Sequence, residues 1–124
     1  MATLTEPTTF GDWLVMEGDK RYSRDDVTLL TGKKYVSGEV LALVTASGKY
    51  TSFNQDAEEP VTGTEIAVAV LMGDVDATSS DMPGVIIARH AQVVKGQLTW
   101  PADIEAAEIV TALGQLKSAG ILGV

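Results

Sequence analysis

Catalysis or metal binding needs reactive groups that can converge, and this chain carries few of them. His90 is its only histidine, and it has no cysteine. No second imidazole or thiolate exists to join His90 on a metal, and a general base there would need a nucleophile beside it. Coming directly after Val85-Ile86-Ile87-Ala88-Arg89, His90 reads instead as an ordinary strand-end residue. Asp74 and Asp76, within Gly-Asp-Val-Asp-Ala-Thr, resemble half of a calcium loop, but the glycine at the sixth place and the closing glutamate are missing. Their expected work is to cap a turn by bonding their own backbone. The neighbours Asp25-Asp26 and Glu58-Glu59 point apart in an extended chain, so neither makes an acid–base pair. Ser47, Ser79 and Ser80 stand in no nucleophile-elbow sequence. The glycines at Gly18-Asp19-Lys20 and Gly48-Lys49-Tyr50 lack the spacing of a phosphate cradle. The sequence therefore predicts no catalytic residue, no metal site and no cofactor.

The elements that would position any site are mostly strands. The longest apolar run, residues 64–75, places Ile66, Val68, Val70 and Met72 on one face of an extended chain and Ala67, Ala69 and Leu71 on the other. Both faces are apolar, so it is expected to be a strand buried on both sides and ended by Gly73 and Asp74. Further strands are predicted over 26–30, 39–45, 49–53, 85–89, 91–94 and 97–100, with glycines between them spaced as in an all-β domain. Residues 54–63 and 76–84 read as exposed loops. Trp100-Pro101 turns strand into helix, with the indole anchoring that corner.

From residue 102 to 118 the period changes to that of a helix, with Ala106, Ile109, Val110, Leu113 and Leu116 on one stripe and Leu113 at its centre. Asp103 is the expected N-cap, Lys117 suits the negative end, and Gly120 supplies the stop. Ile121, Leu122 and Val124 should return to the body. The fold class is thus mainly β with one C-terminal α-helix (α+β): a compact small β domain over residues 13–124, its helix near 103–118, with an extended N-terminal arm over residues 1–12. The arm is rich in threonine, interrupted by Pro7 and Gly11, and too poor in apolar residues to build core.

Charge narrows the partners. Seventeen acids and nine bases give a net charge of −8; through Tyr50 they nearly cancel, seven to six, and beyond it there are ten acids and three bases. A phosphate backbone would be repelled, so no nucleic-acid partner is expected. No stretch approaches the length of a membrane span, and the first residues do not read as a signal peptide. The absence of cysteine suits a reducing cytoplasm.

Three segments taken in order, Tyr22-Ser-Arg-Asp-Asp-Val-Thr-Leu-Leu-Thr-Gly, Ser37-Gly-Glu-Val-Leu-Ala and Thr45-Ala-Ser-Gly-Lys-Tyr, resemble the lambda-type bacteriophage head decoration protein family. Ala67-Val-Ala-Val-Leu and Leu98-Thr-Trp-Pro extend the resemblance, which runs from about Val15 to Leu122. It implies a non-enzymatic cementing protein, made in the host cytoplasm and carried on the outer surface of the virion capsid. Its partner would be the major capsid protein, bound as a homotrimer at three-fold positions of the expanded head, where it resists the pressure of packaged DNA. It also implies an arm that orders on the capsid. Thr3, Leu4, Thr5, Thr8, Thr9 and Phe10 are then the candidate capsid-binding residues. The threonines and Phe10 favour extended chain, which can add a strand to a capsid sheet edge, with Leu4 and Phe10 seated in pockets. The alternative for the arm is a tail without a partner. The alternative for the whole chain is a small-ligand-binding β module or an accessory domain of an enzyme, using the loops at 54–63 and 76–84.

Overall fold

The computed structural model describes residues 13–18, 23–45, 47–54, 64–102 and 104–124. Among the described residues it is mainly β with one α-helix element, near the end of the chain, the expected α+β architecture. Five strands close into a barrel in the order β2 (Arg24–Leu29), β5 (Lys49–Ser52), β4 (Val40–Val44), β6 (Ala69–Leu71) and β8 (Met82–Ile87), with β8 returning to β2. The β2–β8 seam is the longest, antiparallel from Arg24↔Ile87 to Leu29↔Met82. β4 and β5 form a hairpin through Ser47-Gly48, and β5 meets β2 in parallel at Leu29↔Tyr50. A second sheet holds β1 (Leu14–Glu17), β9 (Ala91–Val93) and β10 (Ile121–Gly123) in the order β1-β9-β10. A two-residue ladder joins β3 (Lys34–Tyr35) to β7 (Val75–Asp76).

The run at 64–75 is central, but it is not one long strand. Only Ala69–Leu71 is strand; Ile66 is exposed, the chain bends at Met72 and Gly73, and it pairs again as β7. The expected burial on both faces holds for this short strand, because the two faces serve different cores. Val70 joins a cluster with Trp13, Ile87, Val93, Leu116 and Ile121 between the barrel, the second sheet and the helix. Ala69 and Leu71 join Leu29, Tyr35, Leu41 and Ile86 in the barrel interior. Strict alternation fails upstream: Ala67 packs with Val70 and Met72, while Val68 lies against the barrel interior. The Ala67 N–H instead donates to Gln115 Oε1 at 2.8 Å, tying this segment to the helix.

Residues 97–100, expected as a strand, are a 3₁₀ turn at Lys95–Gln97 followed by a single bridge from Thr99 to Glu39. Trp100 does anchor the corner, its ring edge-on to Phe53 with centroids 6.4 Å apart.

The helix, α1 (Ala106–Ser118), begins later than expected. Its N-cap is Glu105, whose backbone N–H is taken by the Glu108 carboxylate at 3.0 Å, one arm of a capping box. Asp103, the expected cap, lies outside the described residues. The buried stripe is also rotated: Ala112 and Leu116 are fully buried, Leu113 is half-buried, and Val110 is 69% exposed. A methyl group at Ala112 lets the helix axis approach the core more closely than Val110 would. Gly120, at φ +94°, ends the helix in the left-handed conformation as predicted and turns the chain into β10.

Candidate docking surface

The six arm candidates Thr3, Leu4, Thr5, Thr8, Thr9 and Phe10 lie outside the described residues, as do Glu58 and Glu59. The described fold begins at Trp13, and that residue is held from several sides. Its side chain is fully buried, its indole N–H donates to Ser37 Oγ at 3.0 Å, and Ser37 Oγ–H passes on to the Met72 carbonyl at 2.8 Å. Its carbonyl accepts from the Val94 N–H at 2.6 Å. Gly38, at φ +84°, lies so close that a Cβ there would sit 2.9 Å from the indole. The sequence starts the β domain at residue 13 but could not show this packing, since the partners of Trp13 are 24 and more residues away.

β1 continues from that anchor. Its register with β9 is Leu14↔Val93, Met16↔Gln92 and Glu17↔Ala91, with a bulge between Leu14 and Met16. β10 runs parallel to β9, with Ile121↔Ala91, Leu122↔Gln92 and Gly123↔Val93. Side chains alternate across a sheet, so Leu14, Val93, Ala91 and Ile121 face the core. Met16, Gln92 and Leu122 form a row on the outside. Met16 is 55% exposed and Leu122 41%, and Val15 and Val124 are exposed as well. Among the described residues nine large apolar side chains are exposed, and these four lie on β1 or at β10, which makes this the densest such cluster. A shallow depression of about 270 Å³ runs between Met16, His90, Gln92 and Leu122. Clustered exposed apolar surface marks contact sites, whereas scattered residues do not.

The register adds a second fact. Leu14 and Gly123 both stand opposite Val93, so the start of β1 and the finish of β10 lie at the same end of the sheet. β1 and β10 are the two edges of that sheet. Glu17, the acid at the rim, is engaged by Arg24 at 3.0 and 2.5 Å and by Ser23 at 2.8 Å, so its charge is balanced.

His90 sits in the tight turn between β8 and β9 with φ +53°, and its carbonyl takes the Gly18 N–H at 2.7 Å. The acids behave as turn and strand ties. Asp76 accepts from the Thr78 N–H and hydroxyl at 3.1 and 2.7 Å, the turn capping expected of it; the hydroxyl bond, then the backbone bond, hold its carboxyl below the ordinary value. Asp74 accepts from the Ser37 N–H at 2.8 Å, a longer-range tie than a bond to its own turn. Asp25 pairs with Arg89 at 3.1 and 2.7 Å. Asp81 is bound by Lys49 and by the Thr31 N–H, which lower its carboxyl in that order. Among the described residues no group of His, Cys, Asp and Glu is arranged to hold a metal ion, and no helix is long and apolar enough to cross a membrane.

Val15, Met16, Leu122 and Val124 were legible as apolar residues, but nothing in their local pattern said that they face outward. The family model described as Bacteriophage lambda head decoration protein D matches residues 3–121, a span that takes in both the arm candidates and β1. No curated protein matches the chain.

Proposed function

The chain belongs to the bacteriophage lambda head decoration protein D family, and from that premise we propose that it cements the expanded phage head, binding the major capsid protein on the outer surface as a homotrimer at three-fold positions. Family membership supports association with the phage capsid, and the family is a structural one. The observation that carries the rest is the pair of exposed apolar side chains Met16 and Leu122, flanking Gln92 on the outer face of the sheet that the arm enters through Trp13.

In this reading the body and the arm bind together. Each apolar side chain fully removed from water contributes about 1.5–3 kcal/mol, which one copy would spend largely on lost freedom of motion. A closed trimer presents three such faces and three arms to a three-fold position, so modest contacts multiply. Thr3, Leu4, Thr5, Thr8, Thr9 and Phe10 would add a strand to a capsid sheet edge, contributing affinity without contributing to folding. Contacts spread over adjoining capsid subunits would then resist their separation by packaged DNA.

The test removes residues 2–12 and compares melting and co-sedimentation with expanded capsid shells. The truncated protein should melt within a few degrees of the full chain and bind much more weakly. Equal binding would leave the contact wholly on the folded body.

A further inference from the structure

The barrel carries a groove that shares no lining residue with the docking sheet. It has a volume of about 590 Å³ and lies between the start of β4, the end of β5 and the corner before α1. Trp100 and Pro101 form an apolar wall, and the edge-on contact with Phe53 fixes the orientation of the indole. The polar side is a closed network. The Lys33 ammonium donates to Glu39 Oε2 at 2.9 Å and to Ser52 Oγ, and the Ser52 hydroxyl donates to the same carboxylate oxygen. Glu39 is almost fully buried, while the Lys33 side chain is 41% exposed. Burying a carboxylate costs stability that an apolar residue would not, so such a network beside an open groove asks for a use. Lys33 spends two of its three donors on Glu39 and Ser52, and Thr99 and Asn54 bring further polar groups to the rim.

We propose that this groove binds a pyranose ring of a carbohydrate. A pyranose offers one apolar C–H face, which suits the Trp100 wall, and a rim of hydroxyls, which suits Lys33, Ser52, Thr99 and Asn54. The volume falls within the range of small-ligand pockets. A nucleotide would also offer a flat face, but its phosphates meet a chain of net charge −8. A proline-rich peptide is the rival that an aromatic wall could take, and it would leave the Lys33–Glu39–Ser52 network unused.

The experiment titrates the ¹⁵N-labelled full chain separately with an N-acetylglucosamine trisaccharide, maltotriose, glucuronic acid and a polyproline peptide. At least one sugar should give saturable shifts of the Lys33, Ser52, Asn54 and Trp100 signals, with a Kd of about 10 mM or tighter. Lys33→Met and Trp100→Phe should each weaken that sugar about fivefold or more while the remaining spectrum stays folded. No saturable shift with any sugar, saturation by the peptide alone, or sugar binding indifferent to both substitutions would overturn the assignment.

Discussion

The barrel and the three-stranded sheet are built from similar strands and handle their edges in opposite ways. The barrel pairs each of its strands on both sides, and its interior seals Leu29, Leu41, Leu71 and Ile86 completely. The sheet β1-β9-β10 has two edge strands among the described residues, buries one face against the core and shows Met16 and Leu122 on the other. Closure removes the hazard of edge pairing, so an open edge with apolar neighbours is either a liability or a contact surface. Here the open sheet is also where residues 1–12 join the fold, which favours contact. Under the proposed function the barrel supplies stability and the sheet supplies adhesion.

Substitutions can break that division. The largest effect is expected in the barrel: Leu41→Asp places an unpaired carboxylate in a sealed interior, a loss of several kcal/mol from a total of roughly 5–15. Thermal melting should show the folded state largely lost at room temperature. Next comes Trp13→Ala, where an emptied site beneath the sheet should cost about 3–5 kcal/mol. Ser37→Ala, which removes the indole's acceptor and the donor to the Met72 carbonyl but leaves the ring in place, should cost about 1–3 kcal/mol. Equal melting of these two variants would show that Trp13 contributes little beyond its hydrogen bond.

The helix sharpens the boundary between the two regions. Leu116→Asp should destabilise strongly, Leu113→Asp less, and Val110→Asp by no more than about 0.5 kcal/mol. A Val110→Asp variant that melts like Leu116→Asp would refute the helix rotation. The smallest effect concerns acid. Asp76 and Asp81 are held below their ordinary value of 3.8, so the stability they lend is complete above that pH and is lost as pH falls through their lower folded values. Melting temperature should therefore drop between about pH 5 and pH 2, and less steeply in Asp81→Asn than in the wild type. An identical slope in the two proteins would remove Asp81 from the account.

Much of this was readable in the chain, and the failures have physical causes. The β-rich class, the Gly120 stop and the capping by Asp76 rest on local chemistry, which a sequence displays directly. The helix was found, but its stripe was misplaced because apolarity favours Val110 while close packing favours the small Ala112. The run at 64–75 was read as one strand because alternation says nothing about where a chain bends between two cores. Barrel closure depends on β2 meeting β5 in parallel and β8 antiparallel, across spacings that no local pattern encodes. The outward row was hidden for a related reason: β10 pairs with β9 in parallel, and that register sets Leu122 across Gln92 from Met16. The groove at Trp100 was half visible, since the indole was identified as a corner anchor and its Lys33–Glu39–Ser52 neighbours come from three separate segments.

The division of labour is tested most directly by capsid binding of two variants that both stay folded. One carries Met16→Glu with Leu122→Glu on the open sheet, and the other carries Thr28→Glu on the exposed outside of the barrel. Quantitative co-sedimentation with expanded shells should show the sheet variant bound at least about tenfold more weakly than the wild type, with the barrel variant unchanged. A sheet variant that binds as the wild type does, at an unchanged melting temperature, would contradict the account.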